Sequence, residues 1–106
     1  MIRTYDKLVR DRIPEMIRQN GETPHVLVLN QEEYRKRLKQ KLKEELEEYL
    51  EDNSAEEMAD LYEVMRACAK ADGIVWDAVE EARRQKKNRN GGFSKRLLLM
   101  SVEDKQ

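Results

Sequence analysis

Residues 41–65, KLKEELEEYLEDNSAEEMADLYEVM, constrain the fold of this chain more than any other segment. The segment is rich in strong helix formers, and the step Asp52-Asn53 interrupts it with residues that favour a turn. We therefore predict two helices joined by a tight turn. The first spans roughly 31–51 and the second ends near Ala71. Folded back on each other, the two helices form an antiparallel hairpin.

Acidic side chains occupy facing positions on the two predicted helices. Glu45 and Glu48 are three residues apart, as are Glu57 and Asp60, and residues at that spacing share a helix face. In the hairpin Glu48 lies opposite Glu57, and Glu45 lies opposite Asp60. Four carboxylates brought together repel one another strongly unless a cation lies between them. Because oxygen ligands in such number suit hard divalent cations, the spacing predicts a Mg²⁺ site, with Mn²⁺ as the alternative ion.

Each of these acidic residues also has a purely structural interpretation. The chain is 41% charged, and glutamate is common on the solvated faces of helices. Ser54-x-x-Glu57 has the pattern of a capping box, in which Glu57 serves only the start of the second helix. Both interpretations stay open for any single glutamate.

Position around the helix separates the candidate ligands from their neighbours. At about 100° per residue, Glu45 falls within the apolar stripe of the first helix and Glu48 lies at its edge. Glu47 and Glu51 point away from the stripe, which predicts that they are solvated.

The second helix is apolar on two opposite sides, a pattern typical of a helix central to its bundle. The first side consists of Met58, Leu61, Tyr62, Met65 and Ala69, and the second of Asp60, Val64, Ala67 and Ala71. Asp60 interrupts an otherwise small apolar face. Because a buried, unpaired carboxylate is costly, Asp60 requires a partner, and a metal ion is the obvious one.

The chain as a whole is predicted to be a single domain, 1–106, with a modest core. Its net charge of −1 supplies no general attraction for nucleic acid. The one cysteine, Cys68, excludes an intramolecular disulfide and fits a reducing cytosol, so we expect a cytoplasmic protein. No segment reaches the roughly 18 apolar residues of a membrane span, and no membrane partner is expected.

Shorter elements are predicted on either side of the hairpin. Pro14 suits the start and Gly21 the end of a short helix, and a further helix is expected over about 74–89. The runs 25–29 and 96–100 are β-prone, and in an α-rich chain two short strands most simply pair with each other. The predicted fold is mainly α, a helical bundle with a minor two-stranded β element.

Four segments of the chain carry a family resemblance. Residues 44–48, EELEE, followed by 57–60, EMAD, resemble the EExxE…ExxD signature of the all-α nucleoside triphosphate pyrophosphatases, the MazG-like superfamily. The opening segment 5–14, YDKLVRDRIP, resembles the small MazG-like or phosphoribosyl-ATP pyrophosphohydrolase-like branch, which is predicted to clear non-standard nucleotides. The GGF turn at 91–93 resembles a turn of the same branch.

The resemblance implies the fold of a MazG-like bundle and a specific ligand set. Mg²⁺ would be held by Glu45, Glu48, Glu57 and Asp60, with Glu44 nearby. The implied activity is hydrolysis of a nucleoside triphosphate to monophosphate and pyrophosphate, and the implied assembly is a homodimer or larger homo-oligomer. The gap between Glu48 and Glu57 is shorter than in many members of the superfamily.

The chemistry of this reaction assigns roles to further residues. A carboxylate outside the metal's ligand set can take the proton of the attacking water, and Glu44 is the candidate base. The pyrophosphate leaving group must be met by cations. The candidates come from the two ends of the chain: Lys7, Arg10, Lys86, Lys87 and Arg89.

Two hypotheses of other classes compete with the enzyme. A non-catalytic helical module of the same fold would sense a nucleotide or bind a protein, and the four carboxylates in register argue against it. Nucleic-acid binding would depend on the basic run 83–89, RRQKKNR. That run lacks interleaved aromatic residues and also suits the C-terminal end of a helix dipole.

Overall fold

The computed structural model of the protein describes residues 1–105. Its helices are α1 (Ile13–Gln19), α2 (Gln31–Asp52), α3 (Ala55–Ala71) and α4 (Trp76–Asn90). The predicted mainly α class is confirmed. The chain divides into two compact units. Met1–Ile74 contains α1 to α3, and the unit that begins at Val75 contains α4. None of the helices in the described part combines the length and the apolar character needed to cross a bilayer.

The predicted two-stranded element is not present in the part of the chain that the structure describes. Residues 25–29 and 96–100 both lack regular secondary structure. Their apolar side chains are largely exposed, Val28 by 93% and Leu98 by 82%. A strand is stabilised mainly by side chains on a paired strand, so β-prone residues alone do not create one.

The two long helices begin at polar caps and are joined by a tight turn. The backbone N–H of Glu33 donates to Asn30 Oδ1 at 2.8 Å, and that of Glu57 donates to Ser54 Oγ at 3.1 Å. Between the helices Asn53 adopts the left-handed conformation, with φ of 50°, which asparagine tolerates better than most residues. These local preferences reverse the chain and make α2 and α3 neighbours.

The core lies between α2 and α3, the pair of helices that packs together. Its buried apolar side chains, within the described residues, are Leu38, Val64 and Ala69. Cys68 Sγ lies 3.9 Å from the carbonyl oxygen of Leu38, which shows how closely α3 approaches α2. Val64 belongs to the small-residue side of α3 and Ala69 to the larger apolar side, so each side contributes a buried position.

Three large side chains on the larger apolar side of α3 are exposed, although Ala69 on that side is buried and Leu61 is half-buried. Met58, Tyr62 and Met65 expose 45%, 46% and 43% of their surface, and Leu46 and Leu50 on α2 expose 45% and 63%. Within a single copy of the described chain the larger apolar side of α3 is therefore only partly covered, whereas its pattern is typical of a helix central to a bundle. We call these five residues the apolar hairpin face.

The N-terminal segment, residues 1–12, has no helix or strand and is attached to the hairpin by arginine side chains. Arg37 on α2 donates to the backbone oxygen of Asp6 at 3.1 Å and to its carboxylate at 3.3 Å. Arg10, in turn, reaches α3 at Asp60. These contacts, between residues far apart in sequence, bring the segment to the hairpin.

Candidate metal centre

Three carboxylates converge where α2 and α3 face each other. One oxygen from each of Glu45, Glu57 and Asp60 lies within 4.8 Å of the other two. Glu45 comes from α2, and the other two are three residues apart on α3, so the hairpin itself assembles the group. We call these three residues the carboxylate group.

Glu45 is the most buried member of the carboxylate group, with 8% of its surface exposed. Its Oε1 lies 3.3 Å from Lys41 Nζ, one helical turn earlier on α2. Its Oε2 is buried and has no hydrogen-bond partner among the described residues. A buried carboxylate oxygen without a partner is costly, and a cation bound by the group would supply what this oxygen lacks.

The Oε2 of Glu57 is also buried and has no hydrogen-bond partner within residues 1–105. The pKa of Glu57 is raised above its ordinary value, first by loss of hydration and then by the carboxylates of Glu48 and Asp60. The backbone N–H of Glu57 donates to the cap residue Ser54. Glu57 can therefore serve the start of α3 through its backbone and offer a metal ligand through its side chain.

Asp60 is only partly buried, and its side chain is 42% exposed. Arg10 Nη2 donates to Asp60 Oδ1 at 2.8 Å. The sequence predicted that Asp60 needs a partner. In this structure that partner is the guanidinium of Arg10, from the N-terminal segment. The sequence indicated a more buried residue, because the helical pattern takes no account of how the segment 1–12 lies on α3.

The other predicted acidic residues lie outside the carboxylate group. Glu48 is exposed and close enough to Glu57 to raise its pKa, but it does not belong to the group of three within the described chain. Glu44 and Glu47 are exposed on α2. The structure thus brings together three of the four predicted ligands, with the fourth beside them.

The predicted phosphate-binding cations lie in different parts of the chain. Arg10 contacts the carboxylate group through Asp60, and Lys7 Nζ lies 5.7 Å from the centre of the Tyr5 ring. The remaining three, Lys86, Lys87 and Arg89, are exposed on the last turns of α4, in the second unit.

Two contacts at the carboxylate group were not predicted from the sequence. Lys41 is paired with Glu45 at i,i+4, a spacing that is visible in the sequence and typical of helical ion pairs. The pair between Arg10 and Asp60 joins residues 50 positions apart, and no local pattern signals it.

The donor set fits a hard divalent cation. Every atom offered by the carboxylate group is a carboxylate oxygen, the ligand type that Mg²⁺ and Mn²⁺ prefer. Two of those side chains each have a buried oxygen without a partner in the described part of the chain. The acidic faces of surface helices seldom have this feature, because solvated carboxylates are satisfied by water.

No protein-family model, curated protein or solved structure matches the chain. An assignment of function therefore depends on the residues themselves.

Proposed function

We propose that the protein is a Mg²⁺-dependent nucleoside triphosphate pyrophosphohydrolase. It cleaves a standard or modified nucleoside triphosphate to the monophosphate and pyrophosphate. The observation that carries the proposal is the buried Glu45 oxygen, which has no partner in the described chain and belongs to a group of three converging carboxylates. The resemblance of residues 44–48 and 57–60 to the pyrophosphatase signature supports the same reaction.

Glu45, Glu57 and Asp60 are the residues that would hold Mg²⁺ or Mn²⁺, with Glu48 as a fourth ligand from the exposed side of α2. When bound, the ion offsets the negative charge that grows on the phosphoryl oxygens and lowers the pKa of the attacking water. Glu44 is exposed next to Glu45 and is the proposed base that accepts the proton of this water.

Cationic side chains are proposed to bind the triphosphate. Lys7 and Arg10, in the N-terminal segment, are the residues proposed for this role. Lys86, Lys87 and Arg89 stay candidates from the sequence, in the unit that begins at Val75. Such charge-assisted hydrogen bonds are stronger than neutral ones and offset the charge of the leaving pyrophosphate.

We also propose that the protein is a homodimer or a larger homo-oligomer that acts in the cytoplasm. The apolar hairpin face supports the assembly, because it leaves five large apolar side chains of α2 and α3 exposed, and exposed apolar surface can be buried in an interface. The half-buried thiol of Cys68, unpaired within residues 1–105, is compatible with a reducing compartment.

The decisive experiment is a panel of standard and modified nucleoside triphosphates incubated with the protein and Mg²⁺. We expect pyrophosphate as the first product from at least one of them, and no product in EDTA. Orthophosphate as the first product would contradict cleavage between the α and β phosphates. Metal binding without hydrolysis of any triphosphate would favour the non-catalytic nucleotide-sensing module.

A pair of variants tests the metal centre itself. Asp60→Asn should abolish both hydrolysis and the response of the melting temperature to Mg²⁺. It should still fold, because an exposed ion pair such as that with Arg10 contributes at most about 1 kcal/mol. The matched control is Glu47→Gln, an exposed glutamate on α2. At a Mg²⁺ concentration about 100 times Kd, wild type and control should each gain about 2.7 kcal/mol.

If Asp60→Asn keeps the wild-type Mg²⁺ shift, the metal centre is wrong and the acidic faces are solvated surfaces.

A further inference from the structure

Arg10, a proposed phosphate-binding residue, is in direct contact with the carboxylate group. Its Nη2 donates to Asp60 Oδ1 at 2.8 Å, across 50 positions of sequence. The guanidinium thus contributes a positive charge to a group of three carboxylates, and it does so from a segment without helix or strand.

The ion pair between Arg10 and Asp60 is exposed. The Arg10 side chain exposes 57% of its surface and Asp60 42%, so each remains accessible to water. An exposed ion pair is weak, because solvent competes with both partners. Arg10 can therefore leave Asp60 at little cost.

Lys41, the other cation at the carboxylate group, is held differently. Its side chain is 21% exposed, that of its partner Glu45 is 10% exposed, and both belong to α2. Breaking this pair would leave the buried carboxylate of Glu45 without a positive partner. That is far more costly than losing an ion pair at the surface. Lys41 is therefore a fixed charge of the group, and Arg10 is the movable one.

A divalent cation and the Arg10 guanidinium would compete for Asp60. Both are positive, and like charges that share one carboxylate repel each other. A triphosphate would add negative oxygens beside the metal. Guanidinium groups bind such oxygens through bidentate hydrogen bonds, whereas Arg10 makes a single hydrogen bond to Asp60 in this structure.

We propose that Arg10 exchanges partners during binding: it leaves Asp60 when the carboxylate group takes up a divalent cation, and it then binds the triphosphate oxygens. Arg10 is thereby a positioning and binding residue that links occupation of the metal centre to capture of the substrate. The inference rests on the proposed function, since it requires both a metal and a triphosphate at this group.

The exchange predicts that Arg10→Gln changes the affinities for Mn²⁺ and for tripolyphosphate in opposite directions. Without the competing guanidinium, Mn²⁺ alone should bind about two- to fivefold more tightly, the fold-change that corresponds to an exposed ion pair. Inorganic tripolyphosphate should bind the Mn²⁺-loaded protein about tenfold or more weakly, because a charge-assisted hydrogen bond is lost. A purely structural role for Arg10 would weaken both.

The experiment measures Mn²⁺ binding by electron paramagnetic resonance and tripolyphosphate binding by calorimetry, on the full chain. Arg35→Gln is the matched control, because Arg35 forms an Arg–Asp pair of similar length, 2.9 Å, with Asp72, and neither residue belongs to the carboxylate group. We expect the control to resemble wild type in both measurements. Arg10→Lys, which keeps the charge, should return Mn²⁺ affinity toward wild type.

Several results would overturn the exchange. Wild-type or weaker Mn²⁺ binding by Arg10→Gln excludes the competition while leaving the metal centre intact. Unchanged tripolyphosphate affinity in that variant excludes the second half of the exchange. Failure of the wild type to bind Mn²⁺ overturns the proposed function together with the inference, so the two kinds of failure are distinguishable.

Discussion

Glu57 shows at the residue scale how one side chain can serve both stability and chemistry. Its backbone N–H closes the cap of α3, while its side chain has a buried oxygen without a partner in the described residues. Loss of hydration and the carboxylates of Glu48 and Asp60 raise its pKa. The folded protein therefore retains the proton of Glu57 to a higher pH than the unfolded chain does.

This raised pKa predicts the direction in which stability depends on pH. Between the unfolded pKa, about 4.3, and the higher folded pKa, the folded state binds more protons than the unfolded state. The free energy of unfolding must then fall as pH rises through that window. In EDTA we expect wild type to lose stability relative to Glu57→Gln from about pH 4 upward, until the folded carboxyl is ionised.

Urea denaturation at a series of pH values measures this difference, and the variant serves as the reference for all other titrating groups. Glu47→Gln, with an exposed side chain, should run parallel to wild type. Parallel curves for wild type and Glu57→Gln would show that Glu57 titrates in the same way in both states.

At the level of residues, the sequence predicted burial correctly where the helix alone sets the position of a side chain. Glu45 was predicted to lie within the apolar stripe, and it is buried. Spacing along a helix could not show that Arg10 pairs with Asp60, because that contact depends on how an irregular segment lies on the hairpin. For the same reason Asp60 is more exposed than its helical position indicated.

At the element scale, the hairpin depends on short-range capping. Ser54 accepts the backbone N–H of Glu57, and an N-cap hydroxyl is worth about 1 kcal/mol. Ser54→Ala should lower the free energy of unfolding by about that amount, and Ser101→Ala, at an exposed position outside any helix, should leave it unchanged. Thermal melts of both variants check this. Equal stability of the two would mean that the cap contributes nothing measurable.

The same local chemistry explains which elements were predictable. The predicted bounds of α2 and α3 agree with the structure within one or two residues, since Asn30, Asn53 and Ser54 fix the ends. The expected pair of strands at 25–29 and 96–100 was not predictable in this way. Strand formation depends on a partner, and sequence preference for β structure does not supply one.

At the scale of the whole molecule, the small core argues for assembly. The buried apolar residues of the described chain are Leu38, Val64 and Ala69, which is little for a chain of this length. The apolar hairpin face offers further surface to bury, and a second copy that presents the same face would form a two-fold interface.

We therefore expect light scattering at micromolar concentration to give at least twice the chain mass of 12.6 kDa. Met65→Glu, which places a charge in the apolar hairpin face, should reduce the mass to that of one chain or lower the melting temperature. Val28→Glu is the matched control, because Val28 is exposed outside the helices. A wild-type mass of one chain would contradict the assembly.

The burial of Glu45 has a consequence for how selection acts on this chain. One of the four buried positions in the described residues holds a carboxylate, where an apolar side chain would add hydrophobic contact and remove an unsatisfied oxygen. Stabilising changes of this kind are easy to find, and they are commonly harmful to function. A library randomised at positions 41 and 45 together, so that no ammonium is left without its carboxylate, and selected only for heat resistance should return leucine or methionine at position 45. The same library selected for pyrophosphate release should return glutamate.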